Sequence, residues 1–458
     1  MLSWIARLLG NARRTTPPAD TEAPKNAHAI AKPHPVAATP EADPAAAEGA
    51  LLQQVLLDRQ RRSTGYLFSL QEGHGAQIAA QSTRVRALLD DILIARLLAL
   101  AEHWPGQRRA WLAIDEGALL HGSLPRLASL HAVLRLHACD AEQAAAPDTI
   151  SRLRALQRAG LQIALDASPG SPWFESLAWL ADRFVLDFAN PPETLQRWHA
   201  QLSSQYPLVP RTAIAVDTLD ALDAAWKLGC SEASGAFSQL RGDWQGNRLA
   251  PGLLHAAALL ARVGADTENS EIAAALKQDM ALSYRLLRYV NTASGGLQHS
   301  IGSIEQALLL LGREQLYRWL ALLVCASAKR PDGDAMMETA LVRARMLEQL
   351  GDKIAPAARD DLFVTGLFSQ LDMLLQVPMR TALEPLALTP AVREALLERS
   401  GPCADWLAVA EAGEAGDPVA LLVACRKLGI PAMRAAGARL AALAWVHALS
   451  AEPAVAET

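Results

Sequence analysis

The hydrophobic pattern of the chain changes near residue 245, and this change constrains the fold more than any other feature of the sequence. From about 50 to 240, short apolar runs of strand length alternate with stretches of helical period. From about 245 to 449 only the helical periods remain. The chain has 458 residues, half of them apolar, which is enough for two cores. The sequence therefore predicts an α/β domain followed by an all-α domain.

Eight apolar runs in the first part predict eight strands, with helical stretches between the later ones. This alternation is typical of a TIM-type α/β barrel, and a doubly wound open sheet is the alternative that the pattern leaves open. The predicted strands are Leu52–Leu57, Gly65–Ser69, Trp111–Ile114, Ala132–Leu136, Leu161–Leu165, Phe184–Leu186, Ala213–Val216 and Ala233–Ser238. The predicted helices are Thr149–Ala159, Trp173–Ala181, Pro192–Leu202 and Leu219–Leu228.

The second part predicts a helical bundle. Its apolar stretches have helical length and are separated by glycine and proline, which end helices. The predicted helices are Leu253–Val263, Ile272–Val290, Ile304–Leu311, Glu314–Ala326, Ala340–Leu350, Leu362–Leu375 and Ala436–Leu449.

The first 49 residues differ in composition from both domains. Residues 1–14 predict a short amphipathic helix, which either docks on a membrane surface or a partner, or is a frayed end, because isolated helices of this length are marginal in water. Residues 15–49 are rich in Pro, Ala, Thr and Glu and predict a disordered linker. The predicted domains are therefore 50–242 and 245–449.

Composition excludes several classes of protein. The net charge of −5 and the pI near 6.1 argue against a nucleic-acid partner. The five cysteines are odd in number and no two have C-x-x-C spacing, so neither a disulfide framework nor a zinc knuckle is expected. No run reaches the ~18 uncharged apolar residues of a membrane span. We expect a cytoplasmic protein, and peripheral attachment to the inner membrane through residues 1–14 stays open.

An aspartate follows several of the predicted strands, at the end where the active site of an α/β barrel lies. Carboxylates clustered at a barrel mouth can hold Mg²⁺ or Mn²⁺ and activate water for attack on a phosphodiester. Aspartate after a strand is equally typical of a turn or a helix N-cap, so position alone does not decide between the two interpretations. The five residues are Asp58, Asp115, Asp166, Asp187 and Asp217.

The order of segments in this part resembles the EAL family of cyclic-di-GMP phosphodiesterases. Residues 65–68, Gly-Tyr-Leu-Phe, stand where the family has Gly-Tyr-Glu-Ala-Leu, with Leu67 in place of the metal-binding glutamate. Residues 163–171 resemble the Ala-Leu-Asp-Asp-Phe-Gly-x-Gly loop. Asp166 matches its first aspartate, and Ala167 replaces the second, which also serves the metal centre.

Two further segments carry the same resemblance. The run that ends at Asp187 resembles the family's Asp-Tyr-x-Lys-Ile-Asp strand, with Val185 in place of the catalytic lysine. Residues 213–218 resemble Ala-Glu-Gly-Val-Glu-Thr, with Ile214 in place of one glutamate and the shorter Asp217 in place of the other.

The remaining EAL-like positions also differ from the family's pattern. Residues 228–238 resemble the closing Leu-Gly…Gln-Gly-Tyr-Phe segment, with Ser234 for the glutamine. Asp115 stands where the family has a metal-binding asparagine, and the last glutamate falls near Arg135. A two-metal site needs several oxygen ligands at fixed places, so the resemblance implies a barrel with no metal, cofactor or catalytic residue.

The helical part resembles the HDOD family. Residues 276–293 are similar to its Asp-Pro-x-Leu-Ser-x-x-Leu-Leu-Arg-x-x-Asn-Ser-Ala helix, with Met280 in place of the proline. Residues 301–312 are similar to Ile-x-Ser-Ile-x-x-Ala-x-x-x-Leu-Gly, and the likeness continues through 340–348 and 366–372. The resemblance implies the two-domain EAL–HDOD architecture of bacterial signalling proteins.

HDOD domains are related to metal phosphohydrolases of the HD type but lack their metal-binding signature. The sequence agrees, because it contains no His-Asp dipeptide and the three histidines of its helical half are not paired at i,i+4 spacing. We expect polar residues of this half to contact a partner or a phosphate, although each arginine alone is also typical of a solvated helix face. The candidates are Arg285, Arg288, Asn291, Arg313, Arg343 and Arg345.

Together the two resemblances imply a non-catalytic regulator linked to cyclic-di-GMP signalling, in motility, biofilm formation or virulence. It would recruit signalling proteins whose identity the sequence does not reveal. A residual cyclic-di-GMP phosphodiesterase, a cyclic-di-GMP receptor without turnover and a purely structural interaction module are the alternatives. In the favoured interpretation four aspartates are vestiges of the lost site: Asp115, Asp166, Asp187 and Asp217.

Overall fold

The computed structural model describes most of both predicted domains. The described residues are 49–72, 91–136, 141–236, 251–326 and 333–450, with short gaps at 96, 100, 102–103, 105–107, 115, 266 and 294–300. The predicted N-terminal helix at 1–14 and nearly all of the predicted linker lie outside the described residues. In the part of the chain that the structure describes, no helix combines the length and the apolar character that crossing a bilayer requires.

The first half forms eight strands: β1 (Gly49–Asp58), β2 (Ser63–Glu72), β3 (Arg109–Ile114), β4 (Val133–Leu136), β5 (Gln162–Asp166), β6 (Arg183–Asp187), β7 (Arg211–Ile214) and β8 (Glu232–Ser234). They close into a barrel in chain order. Neighbours from β2 to β8 are parallel, whereas β1 is antiparallel to both β2 and β8. The α/β barrel is therefore confirmed and the open sheet is wrong, but the first strand departs from an all-parallel barrel.

Four helices lie between the later strands: α1 (Pro147–Arg158), α2 (Pro172–Leu177), α3 (Pro192–Gln205) and α4 (Leu219–Lys227). Three of them begin at proline, whose missing N–H is not needed in a first turn. Caps fix two of the starts, because Ser171 accepts a hydrogen bond from Phe174 N at 3.3 Å and Thr218 accepts one from Ala221 N at 3.0 Å. The four predicted helices are confirmed.

The described residues of the second half contain helices and no strand. The predicted helical bundle is confirmed. The helices are α5 (Pro251–Gly264), α6 (Asn269–Lys277), α7 (Met280–Ala293), α8 (Ile304–Ala326), α9 (Gly333–Leu350), α10 (Pro356–Phe368), α11 (Leu371–Leu375), α12 (Met379–Leu383), α13 (Pro390–Leu397), α14 (Ala404–Ala415), α15 (Pro418–Lys427) and α16 (Ala432–Ser450).

Some predicted helix boundaries in this half are wrong. The single helix predicted over Ile272–Val290 is two, because the side chain of Asp279 accepts hydrogen bonds from the backbone N–H groups of Ala281 and Leu282, both at 3.0 Å. That geometry caps the start of α7 and ends the helix before it. The prediction over Leu362–Leu375 likewise covers α10 and α11, and α12 to α15 were not predicted.

The kink in α8 agrees with the sequence, which places separate helices on either side of Gly312. Gly312 has φ 74° and ψ 167°, a conformation that interrupts the helix and that L side chains rarely adopt.

One strand joins the two halves. β1 pairs with β8 only through Leu56, Leu57 and Asp58, whereas it pairs with β2 over nearly its whole length. Residues 49–55 and their partners in β2, which we call the β1–β2 arm, therefore extend past β8 at the mouth end of the barrel. The helices α14, α15 and α16 pack against β1.

A side chain of β1 contacts the end of α14 closely. Gln54 Nε2 donates a hydrogen bond to the carbonyl oxygen of Ala415 at 3.0 Å. Gly416, with φ 78°, ends α14 beside it, and a Cβ there would come within 2.6 Å of Gln54 Nε2. Glycine suits this position because its φ is positive and because a side chain would push the Gln54 amide away from Ala415.

A buried ion cluster forms a second contact between the halves. Glu338 on α9 forms an ion pair with Arg108, the residue before β3. Arg108 Nη1 donates a hydrogen bond to Tyr66 Oη on β2 at 3.0 Å, and Nε2 of His447 on α16 lies 3.2 Å from Glu338 Oε1. One carboxylate thus holds the barrel and two helices together.

We predict that Glu338→Gln lowers the free energy of unfolding of the full chain by about 2 kcal/mol, because it removes the charge of a mostly buried carboxylate that pairs with Arg108. The figure is below that for a fully buried pair because the Arg108 side chain is 24% exposed. Urea unfolding measures it. Lys427→Gln is the control, since Lys427 pairs with Asp405 on the surface and its loss should change stability by less than about 1 kcal/mol. Equal effects of both variants would show that the buried contact contributes no more than a surface ion pair.

Candidate functional site

The middle of the barrel interior is apolar. A separate cluster of buried side chains fills it: Leu56, Leu67, Trp111, Val133, Ala164, Val185 and Ile214. Leu67, Val185 and Ile214 are at most 5% exposed. These are the three positions at which the EAL resemblance places a glutamate, the lysine and a second glutamate. Instead of converging on a substrate, their side chains contribute to the packed core.

Ala167, which stands at the fourth substituted position, extends the sheet. It is 5% exposed, and its backbone N–H donates a hydrogen bond to the carbonyl oxygen of Val185 at 2.9 Å. It supplies no side-chain oxygen to the mouth.

An arginine pairs with the aspartates that persist at the mouth. Arg135 on β4 holds Asp166 in a two-point contact, with Nε to Oδ1 at 2.7 Å and Nη2 to Oδ2 at 2.9 Å. Its Nη2 also lies 3.7 Å from Oδ2 of Asp187. The guanidinium therefore supplies the counter-charge that a metal ion would otherwise bring to these carboxylates.

Neither Asp217 nor Asp58 joins this group. Asp217 accepts a hydrogen bond from the backbone N–H of Ala236 at 3.3 Å, as a turn former does. Asp115 lies outside the described residues. The expectation that Asp58 shares the mouth is wrong, because β1 is antiparallel and its last residue pairs with Glu232 at the start of β8, at the opposite end of the barrel. There Asp58 forms an ion pair with Arg62.

Within the described part of the mouth, the donor set does not suit a metal. Among the described residues, no three or more His, Cys, Asp or Glu side chains lie together as a metal-binding group. Asp166 and Asp187 offer two carboxylates, and both already face the Arg135 guanidinium. A divalent ion would have to compete with that cation at close range.

The other end of the barrel interior carries an ion cluster of its own. Glu232 on β8 pairs with Arg109 on β3 and with Arg183 on β6, the latter at 3.0 Å. These strands are not neighbours, so both pairs cross the interior. Burial lowers the pKa of Arg183, and Glu232 opposes that effect. This cluster was not predicted, because its members are distant in the chain. Its location at the N-terminal end of the barrel indicates a role in stability.

Two of the candidate arginines in the helical half are internal. Arg343 is 2% exposed, and its Nη2 lies 2.5 Å from Oε2 of Glu414, so its proposed contact with a partner is wrong. Burial acts to lower the pKa of Arg343, and the charges of Glu414 and Glu411 outweigh it, so the net shift is upward. Arg345 is mostly buried between Glu348, at 2.5 Å, and the ring of Trp445.

Two further candidates hold the backbone together. Arg313 donates hydrogen bonds to the carbonyl oxygens of Val263 and Thr267, at 3.2 and 2.6 Å. Asn291 donates to the carbonyl oxygens of Leu287 and Ile301 at 2.9 Å and accepts from Ile301 N at 2.7 Å, which closes the connection between α7 and α8.

Three of the six candidates are exposed, and one of them, Asn291, already holds the connection between α7 and α8. The other two are Arg285 and Arg288. Both lie on α7, where the Arg288 guanidinium stacks over the ring of Tyr284 at 5.8 Å.

Residues 251–386 match the family model of the HDOD domain, so the second half of the chain contains an HDOD domain. The curated relatives include the cyclic di-GMP phosphodiesterase CdgJ of Vibrio cholerae, which is 37% identical over 155 residues, or 33% of this chain and 35% of the relative. The uncharacterised protein YuxH of Bacillus subtilis is 30% identical over 125 residues, or 27% of this chain and 31% of the relative. The matches thus span about a third of these relatives' lengths.

The N-terminal region is similar to solved EAL-domain structures. One of them is the YkuI protein of Bacillus subtilis, which has an EAL domain and was solved in complex with c-di-GMP and calcium. It aligns over 41% of this chain and 53% of its own. The TM-score is 0.32 and the identity 15%.

We predict that Asp166→Asn costs about 1–2 kcal/mol of unfolding free energy, because it removes the charge from a two-point arginine contact. Asp187→Asn is the matched control. Oδ2 of Asp187 lies 3.7 Å from Arg135 Nη2, and Oδ1 accepts a hydrogen bond from the backbone N–H of Ala189 in a turn. The loss of unfolding free energy should therefore stay below about 1 kcal/mol. Chemical denaturation of the two variants compares them. A larger loss for Asp187→Asn would contradict the assignment of Asp166 as the main partner.

Proposed function

We propose that the chain is a non-catalytic regulator in cyclic-di-GMP signalling, which acts through protein–protein contacts. The observation that carries the proposal is the packing of Leu67, Val185 and Ile214 into the barrel core, where the EAL resemblance expects two metal ligands and a catalytic lysine. Hydrolysis of a phosphodiester needs an activated water, and in this family the metal ions would activate it. Apolar side chains at these positions can neither hold those ions nor move a proton.

The salt bridge at the mouth supports the same conclusion. In a metal site the carboxylates must be available as ligands, but Asp166 already has both oxygens on Arg135. Occupying the site with Mn²⁺ would require the guanidinium to leave and its charge to be solvated elsewhere. We infer that the mouth is an ion-paired surface and that its aspartates are structural remnants.

The link to cyclic-di-GMP rests on similarity. The HDOD match covers residues 251–386, and we propose that the domain extends through the following helices to about residue 449. CdgJ is named a cyclic di-GMP phosphodiesterase, which is a property of that protein. We carry over the signalling pathway and not the activity, because Leu67, Val185 and Ile214 occupy positions where the EAL resemblance expects two ligands and a lysine.

We predict that the purified full chain does not hydrolyse cyclic-di-GMP in the presence of Mn²⁺ or Mg²⁺. The physical reason is the apolar packing at the ligand positions. Product formation measured by chromatography over hours, beside an active phosphodiesterase as positive control, tests this.

The matched variant is Asp166→Ala, which should behave like the parent chain in this assay. Turnover in the parent that Asp166→Ala abolishes would overturn the non-catalytic proposal in favour of a residual phosphodiesterase. Calorimetric titration with the dinucleotide separates the third possibility, since binding without turnover would identify a receptor.

The exposed face of α7 is the surface we propose for partner contacts. Met280 is 85% exposed and Tyr284 64% exposed, although both are large and partly apolar. Met280, Tyr284 and Arg288 are spaced four residues apart, so they share one face, and Arg285 lies beside it. Aromatic and arginine side chains are the residue types that contribute most at protein interfaces.

We predict that the double variant Arg285→Glu/Arg288→Glu loses the protein partners that the parent chain captures from native cells, because reversed charge at a rim repels a complementary surface. Quantitative mass spectrometry of captured proteins measures the loss, and an unchanged thermal midpoint shows that the fold is intact. Arg262→Glu on α5 is the control for a general charge effect. Retention of every partner by the double variant would exclude α7 as the contact surface.

A further inference from the structure

One buried arginine of the barrel, Arg211, has no acidic partner among the described residues. Four arginines of the described chain are less than 9% exposed. Three of them, Arg318, Arg343 and Arg439, form ion pairs with glutamates that are themselves mostly buried. Arg211, the first residue of β7, is 8% exposed and has no acidic partner among the described residues. A buried cation without a counter-charge is costly, so its environment points to an anion.

The orientation of this guanidinium is fixed from one side. Arg211 Nη1 donates a hydrogen bond to Nδ1 of His199 on α3 at 3.0 Å. Burial, and then the charge of Arg211, lowers the pKa of His199, so the imidazole is neutral at pH 7 and acts as an acceptor. This contact positions Arg211 and leaves its positive charge uncompensated.

The opposite edge of the guanidinium faces no acceptor. Nε of Arg211 has no hydrogen-bond partner, and no described residue accepts from Nη2. In the same barrel, Arg135 uses the Nε and Nη2 edge to hold both oxygens of Asp166. That edge has the spacing for two oxygens of one carboxylate or phosphate group.

A second cation lies next to it. Arg59, which follows β1, donates hydrogen bonds to the carbonyl oxygens of Cys230 and Trp226, at 3.2 and 2.8 Å. Burial raises the pKa of the Cys230 thiol to about 12, and Arg211 and Arg59 both act against that rise, so the two guanidiniums flank the same residue. The backbone of Gly229 also lies beside Arg211, since a Cβ there would be 3.5 Å from Arg211 Nη1.

We propose that Arg211 and Arg59 form an oxyanion site at the N-terminal end of the barrel, and that it takes a phosphate group. Two guanidiniums and the absence of a nearby unpaired acid favour a doubly charged group over a carboxylate. The site lies at the opposite end of the barrel from Arg135 and Asp166, because Arg211 begins its strand whereas those residues lie towards the ends of theirs. The proposal is independent of whether the mouth binds a dinucleotide.

Calorimetry and thermal unfolding of the full chain with inorganic phosphate, at constant ionic strength against chloride, test the proposal. Phosphate should raise the thermal midpoint, since a ligand of the folded state stabilises it. Arg211→Gln should weaken phosphate binding by at least about tenfold, the effect of one charge-assisted contact. Arg59→Ala should weaken it by a smaller factor. Arg197→Ala, an exposed arginine on the same helix as His199, is the control and should bind like the parent chain.

Thermal unfolding without phosphate distinguishes an anion site from a purely structural role for Arg211. If Arg211 binds an anion, Arg211→Gln should unfold in phosphate-free buffer at the same or a higher temperature than the parent, because it removes an uncompensated buried charge. A loss of stability that is equal with and without phosphate, or the absence of any phosphate heat with the parent chain, would overturn the site. If Arg211→Gln does not fold, Arg59→Ala decides, and unchanged affinity in that variant also overturns it. A parallel titration with glycerol phosphate distinguishes free phosphate from a phosphomonoester as the source of the group.

Discussion

The pairing of β1 with both β2 and β8 is the contact on which the rest of the structure depends. Without it, a seven-stranded parallel sheet would keep two open edges, each with unpaired backbone groups. β1 closes the barrel over only three residues next to β8, and its remaining length forms the β1–β2 arm that contacts the helical half. The same strand thus completes one domain and anchors the other.

This shared strand changes how the two halves can act. The C-terminal helices α14 to α16 lie beyond the residues that match the HDOD model, yet they pack against the barrel. His447 and Glu338 add a buried polar contact to that apolar packing. A rearrangement in the helical half would therefore change the contacts of Tyr66 on β2 and of Arg108, the residue before β3. The halves are better regarded as one coupled unit than as separable modules, and truncation between them would expose the apolar arm.

The sequence predicted the eight strands and the helical bundle because both depend on local period, which a single chain displays directly. It could not predict the direction of β1, since an apolar run is the same read either way, and Asp58 was therefore placed at the wrong end. It also missed the pairing of Arg135 with Asp166, because partners on different strands leave no mark on spacing. Arg343 was taken for a surface residue for a similar reason: its glutamate partner is 71 residues away in the chain.

The apolar side chains at the three EAL-like positions contribute to the stability of the barrel. Burying a leucine, valine or isoleucine side chain contributes roughly 1.5–3 kcal/mol, whereas carboxylates at the same positions without metal would repel one another and lose hydration. Leu67, Val185 and Ile214 therefore stabilise an interior that acidic residues would strain. Restoring one ligand alone would place an unpaired charge against Trp111, and restoring the mouth would also require Arg135 to release Asp166. Each such substitution by itself should therefore destabilise the barrel.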